Sequence, residues 1–84
     1  MKEIAYSRAA VRTLARTPRN LADRIRDKVR AYPDDPASQA HNVRRLRGSE
    51  GFLRLRVGDW RVVMRDAGTL EISHIATRSD AYGD

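Results

Sequence analysis

The amino-acid sequence predicts one α+β domain over residues 1–84. A small antiparallel sheet, built from an N-terminal strand and a C-terminal three-strand meander, carries a two-helix hairpin on one face. Two observations lead to this fold class. Apolar residues recur at helical spacing in the first half of the chain and alternate with polar residues in the second half. A chain of 84 residues also has room for one thin core only, so helices and sheet must share it.

The first half begins with a strand and a helix. Residues 2–6 alternate in part, which predicts a short strand, and Ser7 follows at a position suited to a helix N-cap. Residues 8–16 then carry apolar side chains at helical spacing, at Ala10, Val11, Leu14 and Ala15. We therefore expect a strand that leads directly into the first helix.

A second helix follows at once. Thr17-Pro18 supplies a cap and a first helical residue, because proline loses no needed hydrogen bond there. Pro33 and Pro36 end this helix, since proline does not continue one. Its buried stripe is predicted to consist of Leu21, Ile25, Val29 and Tyr32. Two helices joined this closely form a helical hairpin.

Three strand patterns follow a polar connection over residues 37–51. The glycine-containing pairs Gly58-Asp59 and Ala67-Gly68 separate them, and such pairs suit tight turns between antiparallel strands. The predicted strands are residues 52–57, 60–66 and 69–76.

Arginine follows the alternation in the first two strands of the meander. Successive side chains of a strand point to opposite faces, so the apolar set belongs beneath the helices and comprises Leu53, Leu55, Val57, Trp60, Val62 and Met64. The set on the bare face includes Arg54, Arg56, Arg61 and Arg65. Their guanidinium groups are close enough to form one patch, in which like charges repel unless an anion binds. We expect an anionic ligand; a charged open face, partly neutralised by Glu71, is the alternative.

The composition also favours an anionic partner. The net charge is +6, and residues 44–65 contain seven arginines and two acidic residues. Such a field attracts a polyanion or an acidic protein, and the guanidinium group matches two phosphate oxygens at once. A genome rich in arginine codons would also explain the 15 arginines against 2 lysines, but it would not explain the alternation.

Several classes of protein are disfavoured by what the sequence lacks. It contains no cysteine, which fits a reducing compartment, and no apolar run as long as a secretion signal or a membrane span. We therefore expect a cytoplasmic protein without a membrane partner. Motifs for nucleotide binding, dinucleotide binding, acyl transfer and zinc-dependent hydrolysis are missing. The two histidines lack metal-ligand spacing, so we expect neither a metal site nor a cofactor.

Three motifs resemble one known family. They are LRG at residues 46–48, LRVGDWRV at residues 55–62 and RSDAY at residues 78–82. With them the chain resembles the RelE branch of the RelE/ParE toxin superfamily over nearly its whole length. The resemblance implies a toxin of a type II toxin–antitoxin system, a metal-independent endoribonuclease that enters the ribosomal A site, cleaves mRNA and inhibits translation. It also implies a cognate antitoxin whose acidic segment holds the toxin inactive in a hetero-oligomer.

The resemblance implies roles for individual residues. Arg54 and Arg56 take the two basic positions of the second strand, and Arg61 contacts the scissile phosphate. Arg78 is the C-terminal basic residue, and Tyr82 stacks on a base. We expect these five residues to be catalytic. Four more arginines are expected to bind ribosomal or messenger RNA, with a merely solvated run as the alternative for the first three: Arg44, Arg45, Arg47 and Arg65.

The general base of this reaction stays open. Many relatives have histidine where this chain has Thr77, others have lysine on the second strand, and arginine does not accept a proton near neutral pH. His74 is a candidate, but alternation places it on the apolar face, where a structural role is expected. His41 is expected to be solvated surface. Glu50 and Asp80 are further candidates, each expected rather to form a surface ion pair.

Two alternatives to the RelE branch remain. The ParE branch shares the fold but poisons DNA gyrase without nuclease activity, and the longer helical hairpin associated with that branch is missing here. A degenerate member would only bind its antitoxin or RNA.

Overall fold

The computed structural model describes residues 3–45 and 51–77. Its helices are α1 (Arg8–Arg16), α2 (Arg19–Asp34) and a 3₁₀ helix (Pro36–Asn42). Its strands are β1 (Ile4–Tyr6), β2 (Val43–Arg45), β3 (Phe52–Val57), β4 (Trp60–Ala67) and β5 (Thr69–Thr77). The predicted α+β class, with a helical hairpin and a C-terminal meander, is confirmed.

The five strands form one sheet in the order β1-β5-β4-β3-β2. The four strands from β2 to β5 pair antiparallel, whereas β1 runs parallel to β5. The sheet is therefore mixed, and the expectation of a wholly antiparallel sheet is wrong for β1. Parallel neighbours need a long crossover connection, and here the helical hairpin and the other strands supply it.

Strand β2 lies within residues 37–51, for which the sequence predicts a polar connection. It is three residues long, and its apolar side chain, Val43, pairs with Leu55 at the margin of the core. A segment this short has no alternation of its own, so pairing with β3 decides its conformation. β2 extends the sheet by one strand and places Arg44 directly opposite Arg54.

The helices cover one face of the sheet and enclose the core. α1 contributes Ala10 and Leu14, and α2 contributes Ala22, Ile25 and Val29. The sheet contributes Leu55, Val57, Val62, Met64, Leu70, Ile72 and Ile75. Because burial of one such aliphatic side chain contributes about 1.5–3 kcal/mol, this set fixes which sheet face lies against the helices. No helix within residues 3–45 or 51–77 lies over the opposite face.

The longer helix, α2, follows the predicted pattern with small differences at its ends. Pro18 is its N-cap instead of its first residue, and the helix runs one residue past Pro33, which lies in its last turn. Ile25 and Val29 of the predicted stripe are fully buried. Among the described residues, no helix has the length and apolar character needed to cross a membrane.

A β-bulge interrupts the pairing of β4 with β5. Val63 pairs with His74 and Met64 pairs with Ile72, so Ser73 is an extra residue on β5. An extra residue reverses the alternation on its strand. From this point on, residues of β5 point to the face opposite the one that strict alternation predicts.

Ser7 joins the start of α1 to this bulge. Its N–H donates to the carbonyl oxygen of Ile72 at 2.9 Å, and its Oγ donates to the carbonyl oxygen of Ser73 at 2.6 Å. The same Oγ accepts the N–H of Ala10 at 3.0 Å, which makes Ser7 the N-cap of α1, as predicted. One side chain therefore stabilises both the helix terminus and the irregular backbone of β5.

Candidate functional site

The helix-free face of the sheet carries five arginines. Residues paired directly across neighbouring strands point to the same face. Because Leu55 is in the core, its neighbours Arg54 and Arg56 point away from the helices. Register and alternation place three more arginines on this side, and the whole set is termed the arginine face: Arg44, Arg54, Arg56, Arg61 and Arg65.

The arginine face forms three rows across the sheet. The first row consists of Arg56, Arg61 and Ala76. The middle row consists of Arg44, Arg54, Val63 and His74. The third row consists of Phe52, Arg65, Glu71 and Ala5. Neighbouring strands lie about 4.8 Å apart and rows about 6.7 Å apart, so the five arginines arise from a backbone area of roughly 10 by 13 Å.

Two like-charge pairs lie directly across strands on this face. Arg56 is opposite Arg61, and Arg44 is opposite Arg54. Direct opposition of like charges is unfavourable, whereas an anion bound between them would interact favourably with both. The arrangement therefore favours a ligand with several negative charges at short spacing.

Arg61 is held beside the β3–β4 turn. Its Nη1 donates to the carbonyl oxygen of Trp60 at 3.3 Å and lies 3.5 Å from that of Gly58. Gly58 has φ of 60°, a left-handed conformation that glycine adopts without strain, so the turn can close tightly. Because of these contacts and its partial burial, the Arg61 side chain has less conformational freedom than an extended arginine on the surface.

Arg65 occupies the third row together with Phe52. Its guanidinium carbon lies 5.6 Å from the centroid of the Phe52 ring, within the range of a cation–π contact. The directly opposite Glu71 is exposed and forms no ion pair with an arginine among the described residues. A cavity of about 310 Å³ lies beside this row and is lined in part by Phe52, Arg65, Glu71 and Ser73.

The other expected site residues are placed differently. Arg45 pairs with Leu53, so it lies on the side of the sheet that faces the helices and is not part of the arginine face. The neighbouring Arg44 is part of it. Three expected site residues lie outside the described residues, namely Arg47, Arg78 and Tyr82. Two candidates for the general base, Glu50 and Asp80, lie outside them as well.

His74 is where the sequence pattern is misleading. Strict alternation places it on the apolar face, but the bulge at Ser73 turns it to the arginine face, and it is exposed. The expectation of a structural, core-facing His74 is therefore wrong. The sequence contains a signal for the bulge. Ile72 is followed by Ile75, three residues later, and position 74 is not apolar, so the period of two is broken here.

The imidazole of His74 has one defined contact. Its Nδ1 lies 2.9 Å from Oγ of Ser73, the extra residue of the bulge. His41, the other histidine, is exposed on the 3₁₀ helix, as the sequence predicts. Within residues 3–45 and 51–77, no three His, Asp or Glu side chains are grouped so that they would hold a metal ion.

Comparison with known proteins places the chain in a family. A search of curated proteins found no match. The fold is similar to a chain of the RelB–RelE antitoxin–toxin complex from Methanococcus jannaschii, with 16% identity over 94% of this chain and 95% of that one and a TM-score of 0.75. The archaeal RelE–RelB complex from Pyrococcus horikoshii gives 20% identity over 95% and 98% of the two chains and a TM-score of 0.77.

The isolated RelE toxin of E. coli has the same fold, with 11% identity over 92% of this chain and 84% of that one and a TM-score of 0.76. At these identities the similarity shows the fold. The family model described as the ParE toxin of the type II toxin–antitoxin system, parDE, matches residues 4–82. The chain therefore belongs to this toxin family, within the RelE/ParE superfamily that its motifs resemble.

Proposed function

We propose that this chain is a toxin that cleaves messenger RNA in the ribosomal A site and so inhibits translation. The observation that carries the proposal is the arginine face, which concentrates five cations on the helix-free side of the sheet. Membership of the toxin family and the RelE fold support the same conclusion. RNA has closely spaced phosphates, and a phosphate bound between the two arginines of a like-charge pair would interact favourably with both.

The proposed chemistry uses the 2′-hydroxyl of the RNA as nucleophile, so it requires no metal ion. The 2′-oxygen attacks the adjacent phosphorus, the bond to the 5′-oxygen breaks, and a 2′,3′-cyclic phosphate is left. Negative charge grows on the phosphoryl oxygens, and cations already in position stabilise it. Arg61 suits this role because its guanidinium is restrained, and Arg54 and Arg56 extend the cationic surface on the adjacent strand.

Two further residues complete the proposed site. Arg78 would provide another cation for the phosphate, and Tyr82 would stack on a base that single-stranded RNA exposes. Both roles follow from the resemblance of the RSDAY motif to the family. We also propose that Arg44 and Arg65 extend the contact to neighbouring phosphates of ribosomal or messenger RNA.

We propose in addition that an antitoxin with an acidic segment binds this toxin in a hetero-oligomer. The similar structures from M. jannaschii and P. horikoshii are complexes of RelB with RelE. A net charge of +6 and the arginine face would interact favourably with an acidic chain.

The test is cleavage of a defined mRNA on programmed ribosomes. Purified toxin is expected to break the A-site codon and leave a 2′,3′-cyclic phosphate. Arg61→Ala should slow cleavage by about 100-fold or more, since removal of one transition-state donor typically has an effect of this size. Arg24→Ala, which removes an exposed arginine from α2, is the control and should cleave like the wild type. Intact mRNA with folded wild-type toxin would contradict the proposal.

Inhibition of DNA gyrase without nuclease activity is the second candidate, because the matching family model is that of the ParE toxin. A supercoiling assay run with the same protein preparation separates the two. Inhibited supercoiling with intact mRNA would assign the chain to the ParE type of activity. Absence of both effects would indicate a member that only binds its antitoxin or RNA.

A further inference from the structure

His74 lies on the arginine face because the backbone of β5 is irregular at a single residue. The bulge at Ser73 is held by two hydrogen bonds from Ser7, which donates to the carbonyl groups of Ile72 and Ser73. The position of His74 is therefore set by a tertiary contact with the start of α1, and not by a freely fraying strand end. Four residues of β5 follow Ser73 in regular pairing with β4, from His74 to Thr77.

The register places His74 next to the arginine that is expected to bind the scissile phosphate. His74 is opposite Val63, and Ala76, two residues further along β5, is opposite Arg61. His74 and Arg61 are thus diagonal neighbours on one face, and their backbones are about 7–8 Å apart. Val63 lies between His74 and Arg54 in the middle row and is buried, whereas His74 itself is exposed. The assignment requires a phosphodiester bound across these two rows, where it would contact both side chains.

We propose that His74 is the general base of the cleavage reaction, an assignment that rests on the proposed nuclease function. In the tautomer with the proton on Nδ1, Nδ1 donates to Ser73 Oγ and Nε2 keeps its lone pair. Nε2 takes the proton of the 2′-hydroxyl while the 2′-oxygen forms its bond to phosphorus. The bond from phosphorus to the 5′-oxygen breaks, and the 5′-oxygen leaves with the electron pair and takes a proton from solvent water.

The other charged groups on this face do not fit the role. Arg54, Arg61 and Arg65 face His74 from β3 and β4, and arginine does not accept a proton near neutral pH. Glu71 is on the same strand, but it belongs to the third row, two rows from Arg61. His74 is in the row adjacent to Arg61, which makes it the better-placed proton acceptor among the described residues of the face.

The experiment measures single-turnover cleavage on programmed ribosomes at saturating toxin. His74→Gln should reduce the rate by about 100-fold or more, as loss of a general base typically does, while ribosome affinity stays within about twofold of the wild type. His41→Gln removes the other exposed histidine and should leave the rate unchanged. Glu71→Gln should have little effect, and a large loss in this variant with none in His74→Gln would assign the proton transfer to Glu71 and overturn the proposal.

Two readouts separate catalysis from a structural role. The rate of His74→Gln should rise in proportion to hydroxide concentration, whereas the wild-type rate should not. Added imidazole should restore part of the activity of His74→Ala. If His74→Gln kept the pH profile or the rate of the wild type, the assignment of His74 as general base would be wrong, and the proposed nuclease function would still stand. Absence of cleavage by the wild-type protein would overturn the nuclease function and the assignment together.

Discussion

At the scale of the residue, Arg56 and Arg61 face each other directly across β3 and β4. Like charges directly opposite each other are unfavourable, and an anion bound between them would interact favourably with both. Residues that lower stability in the free protein and interact favourably with a ligand are typical of binding surfaces.

Arg56→Gln should therefore stabilise the free protein and weaken its function. Removal of one directly opposite like charge is expected to raise the free energy of unfolding by about 0.5 kcal/mol, because cross-strand pairs contribute on this scale. Urea denaturation of the variant measures the gain, and ribosome binding should weaken in parallel. Arg45→Gln is the matched control, since Arg45 is opposite Leu53 and has no like charge across the strand. Equal stability changes in both variants would refute the argument.

Tyr6 gives the protein a specific response to alkaline pH. Burial raises the pKa of the Tyr6 hydroxyl above the ordinary value of 10.0, and the opposing influence of Arg26 and Arg30 is smaller. The unfolded chain then releases this proton at lower pH than the folded chain. The stabilising contribution is complete below about pH 10 and is lost as the pH rises through the folded-state pKa.

We expect Tyr6→Phe to lose less stability than the wild type when the pH is raised from 8 to 11. Thermal or urea unfolding of both proteins at the two pH values checks this, because the comparison cancels every other pH effect that the two proteins share. A wild-type protein that loses no more stability than Tyr6→Phe would contradict the proposed burial of the hydroxyl.

At the scale of the element, Ser7 couples α1 to the sheet. Its Oγ caps the helix and also contacts the bulge that turns His74 to the arginine face. Helix α1 contains Arg8, Arg12 and Arg16 and no acidic residue, so it gains nothing from opposite charges within the helix and depends on its cap and its packing.

Ser7→Ala should lower the free energy of unfolding by about 1–2 kcal/mol, which is the upper part of the range for loss of an N-cap because a second hydrogen bond is lost with it. The variant should also cleave more slowly than its remaining stability explains, because the bulge loses a partner. Ser7→Thr keeps the hydroxyl and should retain most of both properties. Full activity in a well-folded Ser7→Ala would show that the contact between Ser7 and the bulge does not affect cleavage.

At the scale of the whole molecule, the sheet divides the protein into a core side and a cationic side. The helices and the core residues are on one side, and five arginines from three strands are on the other. If these arginines contact phosphates, binding depends strongly on salt, because each neutralised phosphate releases counterions.

Ribosome affinity should fall on the order of 100-fold between 50 and 200 mM salt if five phosphates of single-stranded RNA are contacted. Arg44→Ala should reduce the slope of log affinity against log salt by about 0.7, and Arg45→Ala should leave it unchanged, although the two residues are adjacent and equally charged. Equal slopes in the two variants, or a flat dependence in the wild type, would argue against the arginine face as the RNA-binding surface.

The sequence by itself determined the features that local periodicity encodes. Ile25 and Val29 repeat at helical spacing, and Arg54, Leu55 and Arg56 alternate, so the order of elements and the cationic face follow from short stretches of chain. Helices and strands each have a fixed period, so the face to which a side chain points follows from its position in a short stretch of sequence.

Only the tertiary structure decided the pairing of β1 with β5, the strand β2, the departure of Arg45 from the arginine face and the position of His74. Each depends on contacts between distant parts of the chain, as when Ser7 binds Ser73 across 66 residues. β1 and β2 are three residues long and acquire their conformation from the strands they join. The bulge shifts the alternation of β5 by one residue. The hydrogen bonds that stabilise it come from Ser7 at the N-terminus of α1, so the sequence pattern of β5 alone does not predict it.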